Sequence, residues 1–198
     1  LQETHNANIL LLESTWTGSV NVAMGSGGSR GVITLCTKDL SVPAYEADSE
    51  GRALFTLIDC GNNNFFSAAN IYSPNDHTAS KQFINNTACK WDLFTLKCLS
   101  NLQNQVNCLP ILAGDLNCVL YSHDAQSRLW PLKERQLADT IISIAEERGL
   151  ANSVLKSPHG NNFTWNRGNT FSKIDAVFVC ASLLGFIIKY DTIWDFVK

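Results

Sequence analysis

Gly114-Asp115-Leu116-Asn117 follows directly on the apolar run Leu109-Pro110-Ile111-Leu112-Ala113. The run is bounded and too short for a helix, so it reads as a buried strand. Gly114 frees the backbone to bend sharply at its end. Asp115 and Asn117 then stand at i, i+2. In extended chain that spacing puts both side chains on one side. The carboxylate can bind a metal or take a proton, and the amide can donate and accept at once. The pair suits activation of a water beside a phosphate. The same four residues also suit an Asx-type turn leaving a sheet.

Other acidic or amide-bearing motifs fall at the ends of predicted strands, where a rigid scaffold commonly carries its site. They are Gln2-Glu3-Thr4-His5, Asn70-Ile71-Tyr72-Ser73-Pro74-Asn75 and Ser172-Lys173-Ile174-Asp175. Each has a plain structural reading: a surface Glu, a turn with an aromatic anchor, an edge-strand Asp. Arg167, in Asn166-Arg167-Gly168-Asn169, sits at a predicted hairpin tip. It suits insertion into a narrow minor groove, and equally a solvated turn.

The elements that must position these residues follow from periodicity. Ile9 to Leu12 form an apolar cluster, helix or strand. Val20–Met24 and Val32–Thr37 read as strands joined by the Gly-rich loop 25–29. A polar loop is expected over Pro43–Gly51. Ala53–Cys60 and Phe65–Tyr72 follow as an antiparallel pair about the turn Gly61-Asn62-Asn63-Asn64. Thr78 to Leu102 has little Gly and no Pro. Ile84, Ala88 and Trp91 fall at helical spacing, and Leu99 and Leu102 resume it. One long helix or two short ones satisfy that pattern. Tyr121–Arg128 reads as polar loop. A helix opens at Pro131, carries the stripe Leu137, Ile141, Ile144 and Ala145, and ends at Gly149. Its Lys133, Asp139 and Glu146 face reads as solvated. Asn162–Asn166 and Phe171–Cys180 flank the hairpin tip, and Phe186–Tyr190 reads as a further strand. Hairpins mixed with helical crossovers suggest a layered α/β or α+β sandwich.

The chain has 198 residues, 45% of them hydrophobic and 17% charged. That composition describes an ordinary globular core, and one domain over 1–198 is expected because no linker interrupts it. No run of 18 apolar residues is present, so no transmembrane helix and no membrane partner are expected. Seven cysteines, at 36, 60, 89, 98, 108, 118 and 180, form no C-x-x-C pair. Several lie in apolar runs, the usage of reduced thiols, so a nuclear or cytoplasmic setting is expected and a zinc site is not. The net charge of −3 weighs against a tight non-specific nucleic-acid binder. It leaves room for an enzyme that grips nucleic acid locally and uses a cation to offset phosphate charge.

Six segments, Leu1-Gln2-Glu3-Thr4-His5, Ser29-Arg30-Gly31-Val32, Asn70 to Asn75, Gly114 to Asn117, Phe163-Thr164-Trp165 and Thr170 to Asp175, run in one order across almost the whole chain. In that order they resemble the endonuclease–exonuclease–phosphatase superfamily. Within it they are most similar to the endonuclease domain of LINE-type non-LTR retrotransposons, relatives of apurinic/apyrimidinic endonucleases. The resemblance implies an α/β fold of two stacked mixed β-sheets flanked by helices, a DNase I-like sandwich. It implies a Mg²⁺-dependent endonuclease that nicks DNA for retrotransposition, with Mn²⁺ as a possible substitute and a downstream reverse transcriptase domain as partner. It also implies roles. Glu3 holds the metal, Asp115 activates the attacking water and Asn117 orients that water or the phosphate. Tyr72 hydrogen-bonds the scissile phosphate or the leaving group. Asp175 orients a histidine near the C-terminus. Asn75 contacts a backbone phosphate, while Thr164 and Arg167 belong to the hairpin that reads groove shape.

The family pattern also has an earlier strand carrying an Asn, and it ends in Ser-Asp-His; neither is found in these residues. His5 neighbours the expected metal ligand, and His77, His123 and His159 lie in polar loops, so all four histidines read as surface residues. The expectation is a fold incomplete at both ends, with open sheet edges, weakly stable and nearly inactive as 198 residues alone. Two other classes remain: an exonuclease or a phosphatase on the same scaffold, and a decayed remnant that only binds nucleic acid. The Phe163–Asp175 hairpin favours the retrotransposon type, since fold alone does not separate these chemistries.

Overall fold

The computed structural model describes residues 9–25, 31–102, 105–126, 129–153 and 163–187. In chain order the first half is α1 (Ile9–Thr15), β1 (Ser19–Met24), β2 (Gly31–Cys36), β3 (Ser41–Ala47), β4 (Ala53–Asp59), β5 (Asn64–Tyr72) and α2 (His77–Ser100). The second half is β6 (Asn107–Asp115), β7 (Ala125–Gln126), α3 (Leu132–Glu147), β8 (Leu150–Asn152), β9 (Trp165–Arg167), β10 (Thr170–Ser172) and β11 (Asp175–Cys180).

Alternation along β5 shows how the layers form. Phe65, Ser67, Ala69 and Ile71 are buried on one face. The three apolar ones join a core with Ile84, Ala88, Trp91 and Phe94 of α2 and Leu137, Ile141 and Ala145 of α3. The opposite face carries Asn70 and Tyr72 toward the β1–β2 hairpin. There Asn70 Nδ2 donates to Ile33 O at 3.1 Å, and Tyr72 packs with Ala23, Val32 and Leu54. A period of two on a strand between two layers produces this division.

The main sheet has six strands in the order β3-β4-β5-β6-β11-β8. All its pairs are antiparallel except β5–β6, which is parallel across the α2 crossover. The second sheet, β1–β2, is antiparallel, and β7-β10-β9 form a third, small one. The expected helix-flanked α/β sandwich is therefore present, its large sheet mixed. Residues 78–100 form one helix, not two. Asp76 caps it, its Oδ1 accepting from the N–H groups of Thr78 (3.1 Å) and Ala79 (2.8 Å).

The apolar cluster at 9–12, open between helix and strand, is a helix. Other expectations change. The polar loop over 43–51 contains β3, whose Pro43 is tolerated because this is an edge strand with a register shift between Ser41 and Ala44. Residues 121–126 are not loop alone but a short 3₁₀ turn, Ser122–Asp124, leading into β7. The short β8 lies where no strand was expected. The strand expected from Phe186 instead meets the end of a 3₁₀ segment, Ala181–Phe186, and residues 188–190 lie outside the described chain. Among the described residues no helix is long and apolar enough to cross a membrane, and all seven cysteines are free thiols.

Candidate active site at the strand ends

Strand register alone gathers three of the expected residues. Tyr72, the last residue of β5, pairs with Asp115, the last of β6, and Asp115 pairs with Asp175, the first of β11. Adjacent strands stand roughly 4.8 Å apart, and paired residues share a face. Leu112, Ala176 and Phe178 belong to the helix-side core. Asp115 and Asp175 therefore project to the other side of the sheet, as Tyr72 does.

Gly114 works differently from the bend expected of it. It remains in the ladder, paired with Ile71 and Ala176, at φ 155°. A Cβ there would lie 2.0 Å from Ile71 O. The glycine is needed for close approach of two backbones, which sets β6 against β5 immediately before Asp115. Gly114→Ala is expected to lower stability by more than about 2 kcal/mol, read as a fall in the urea midpoint with the slope unchanged.

The extended geometry stops at Asp115. Asn117 has φ 48°, and Asp115 Oδ1 accepts from its backbone N–H at 2.8 Å. The Asx turn and the reactive pair are thus one object, because the turn redirects Asn117. Its Nδ2 donates to Ser73 O at 2.7 Å, and Ser73 N–H donates to Asp115 O at 2.9 Å. These bonds tie the segment after β5 to that after β6. The chain beyond is anchored by burial of Leu116, Cys118, Val119 and Leu120. Glu134, itself buried on α3, accepts from Val119 N–H at 2.9 Å.

Thr164 occupies a structural position at the start of β11. Its hydroxyl accepts from the N–H groups of Ile174 (3.1 Å) and Asp175 (3.2 Å), and its own N–H donates to Ser172 O at 3.0 Å. Beneath, Lys173 and Asp124 are 4% and 8% exposed and interact as opposite charges, while Lys173 N–H donates to Asp124 O at 2.9 Å. Burial raises the Asp124 pKa, opposed by Lys173 and then His123. Burial lowers that of Lys173, opposed by Asp124.

Asn75, Asn117 and Arg167 line one open cleft of about 350 Å³, together with His77, Trp165 and Ile174. Of the expected residues, Tyr72, Asp115 and Asp175 stand in a row. Asn75, Asn117 and Arg167 share the cleft beside it, Thr164 braces the backbone under Asp175, and Glu3 lies outside the described residues. His77 is not the loop residue expected but the first residue of α2. Asp76 as a helix cap was the signal that places it there. Trp165 stood in a quoted motif without a role; the i, i+2 spacing to Arg167 within a strand explains why both reach the cleft.

Two adjacent carboxylates offer oxygen donors only. That set fits a hard cation such as Mg²⁺, which is commonly held by one or two carboxylates with waters and substrate phosphate. Among the described residues no group of three His, Cys, Asp or Glu side chains converges on one point. A metal here would accordingly rest on Asp115 or Asp175 with further ligands from elsewhere.

Neither protein-family models nor curated protein sequences match this chain. Solved structures do. The AP endonuclease LMAP from Leishmania major is 17% identical with a TM-score of 0.71, covering 94% of this chain and 70% of that one. The 3′ phosphatase NExo from Neisseria, bound to a product DNA hairpin, is 14% identical with a TM-score of 0.65, covering 93% and 76%. The endonuclease domain of TRAS1, a telomere-specific non-LTR retrotransposon, is 16% identical with a TM-score of 0.58, covering 90% and 75%. The chain shares the fold of these AP endonuclease, 3′ phosphatase and retrotransposon endonuclease structures.

Proposed function

We propose that the chain is a divalent-metal-dependent phosphodiester hydrolase, an endonuclease acting on DNA. One observation carries the reading: strand register aligns Tyr72, Asp115 and Asp175 on one face, beside a cleft lined by Asn117, Asn75 and Arg167. Hydrolysis needs a water placed in line with the scissile bond and donors that offset charge on the phosphoryl oxygens. Asp115 takes the proton of the attacking water. Asn117, held by its two bonds, orients the water or a phosphoryl oxygen. Tyr72 donates to the phosphate, and Asn75 contacts a neighbouring one. Asp175 holds an imidazole in register. Glu3 would hold a bound Mg²⁺, which would supply Lewis-acid charge for the phosphate.

The retrotransposon type is favoured by the β9–β10 hairpin, which presents Trp165 and Arg167 at the cleft, a shape suited to a DNA groove. That type also carries a reverse transcriptase domain as partner. The test is nicking of supercoiled plasmid by the intact gene product with Mg²⁺, repeated with chelator. Open circles that form only with metal support the reading. Untouched circles together with release of nucleotides or phosphate from 3′ ends would assign the site to an exonuclease or a phosphatase instead. DNA binding without any turnover would leave only a binding module.

A further inference from the structure

Ser73 stands one residue beyond the end of β5, and each of its polar groups is engaged. Its N–H donates to Asp115 O at 2.9 Å, which carries the parallel β5–β6 ladder one step past Tyr72. Its carbonyl accepts from Asn117 Nδ2 at 2.7 Å. Its hydroxyl shares a hydrogen bond with the hydroxyl of Ser80, in the first turn of α2. Both serines are wholly enclosed, at 0% exposure. A buried hydroxyl pair adds little net stability, since two apolar groups of the same shape can take its place almost neutrally. What it adds is direction. A hydrogen bond weakens steeply as its angle opens, so it fixes position more narrowly than apolar contact does.

The bond between the two serines closes the chain from 73 to 80 into a loop. Within it Pro74 has a fixed φ and no N–H to give. Asp76 caps α2, and Ser80 N–H donates to Asp76 O at 2.8 Å, which opens the helical ladder. Asn75 and His77, on either side of the cap, line the cleft. Farther along, α2 packs on the sheet through Ile84, Ala88, Trp91 and Phe94. That packing sets how close the helix lies, while the hydroxyl pair sets where its first turn sits against the strand end. The consequence reaches Asn117. Its amide is planar, so one N–H held on Ser73 O gives the other N–H and the oxygen a defined direction. Whatever fixes Ser73 O fixes the amide.

We propose that Ser73 and Ser80 are positioning residues for Asn117: their hydroxyl pair holds the start of α2 against the end of β5, and through Ser73 O it sets the angle at which the Asn117 amide meets the substrate. This rests on the reading that Asn117 orients the attacking water or a phosphoryl oxygen. Both hydroxyls are enclosed, so the pair acts through Asn117 and not by touching the substrate. A pair that served stability alone would be replaced by two alanines without loss of rate. A pair that aims Asn117 would not.

The experiment compares Ser80→Ala with the double variant Ser73→Ala/Ser80→Ala in the intact gene product. Three quantities are measured: the melting curve, single-turnover nicking with Mg²⁺, and the ¹⁵N NMR signal of the Asn117 side-chain amide, assigned through Asn117→Asp. Ser80→Ala leaves the Ser73 hydroxyl buried without its partner and is expected to melt below the parent. The double variant removes both hydroxyls and is expected to melt close to the parent. Its nicking is nevertheless expected to stay about 10-fold slower, the scale of a small misplacement at a reacting centre, and its Asn117 amide signal to shift. Where the alanine variants fail to fold, Ser80→Cys decides: the thiol fills the same place but donates weakly, and the same shift and slower nicking are expected. An Asn117 signal that stays put in the folded variant overturns the proposal, whatever the rate. If instead the signal shifts while nicking matches the parent, or the parent itself does not nick, the catalytic reading of Asn117 fails and its positioning by the two serines stands.

Discussion

Asp115→Asn in the intact gene product is expected to reduce metal-dependent nicking by about 10²–10⁴-fold, the range for loss of a positioned proton acceptor, with little change in thermal stability. The substitution is chosen for its shape. Asp115 Oδ1 accepts from Asn117 N–H, and the amide oxygen of Asn retains that bond, so the Asx turn and Asn117 keep their places. What disappears is the negative charge and the capacity to take a proton. Asp115→Ala removes the turn as well and displaces Asn117, so the two variants separate water activation from geometry. Single-turnover nicking beside a melting curve is the measurement. Near-parental turnover in a folded Asp115→Asn protein would mean that another group activates the water.

Lys173→Met is expected to cost about 1–3 kcal/mol of folding stability, because it removes the positive charge that offsets burial of the Asp124 carboxylate. Asp124 would be the charge left without its counter-ion, in the turn that pairs with the strand leading into Asp175. Adding Asp124→Leu should recover most of the loss, because an apolar pair has no charge to desolvate. The pH dependence has a defined sign. Burial lowers the folded pKa of Lys173 from the ordinary 10.5. Over the window just below that value the unfolded chain binds more protons, so this group's contribution rises with pH. Burial raises the Asp124 pKa from the ordinary 3.8, so its contribution is full below that value and falls as pH rises through the folded one. The stability gap between parent and Lys173→Met should therefore widen from neutral pH toward 10.5. Urea midpoints across that range check it, and a gap that closes would contradict the burial-driven shift.

Most of the layer plan was legible because it rests on periodicity. The alternation along Phe65–Tyr72 and the stripe Leu137, Ile141, Ile144, Ala145 need only a period and a face. The row of reactive residues was legible as types but not as a row. Strand register fixes that Tyr72, Asp115 and Asp175 are neighbours, and register arises from pairing between segments distant in sequence. Gly114 illustrates the limit. A glycine before a polar pair reads as a bend, whereas the demand on it comes from Ile71 O on another strand. Pro43 made β3 look like loop, since it cannot donate to a central ladder and only an edge position tolerates it. Thr164 read as a groove contact; that its hydroxyl also accepts from two backbone N–H groups follows only from the pairing of distant segments.

The parallel β5–β6 pair has a kinetic meaning. Tyr72 and Asp115 meet only after the whole of α2 has crossed between their strands, and Asp175 joins only when β11 pairs back onto β6 across the α3 and β9–β10 segments. Each closure links residues far apart in sequence, the kind of contact that slows folding because loop entropy is lost before the contact repays it. Local units, α2 and the β4–β5 hairpin, can form early. The reactive row cannot, since its members come from three strands whose last pairing is among the longest in range. A partly folded chain thus holds these residues apart, and the row is assembled only in the final steps of folding.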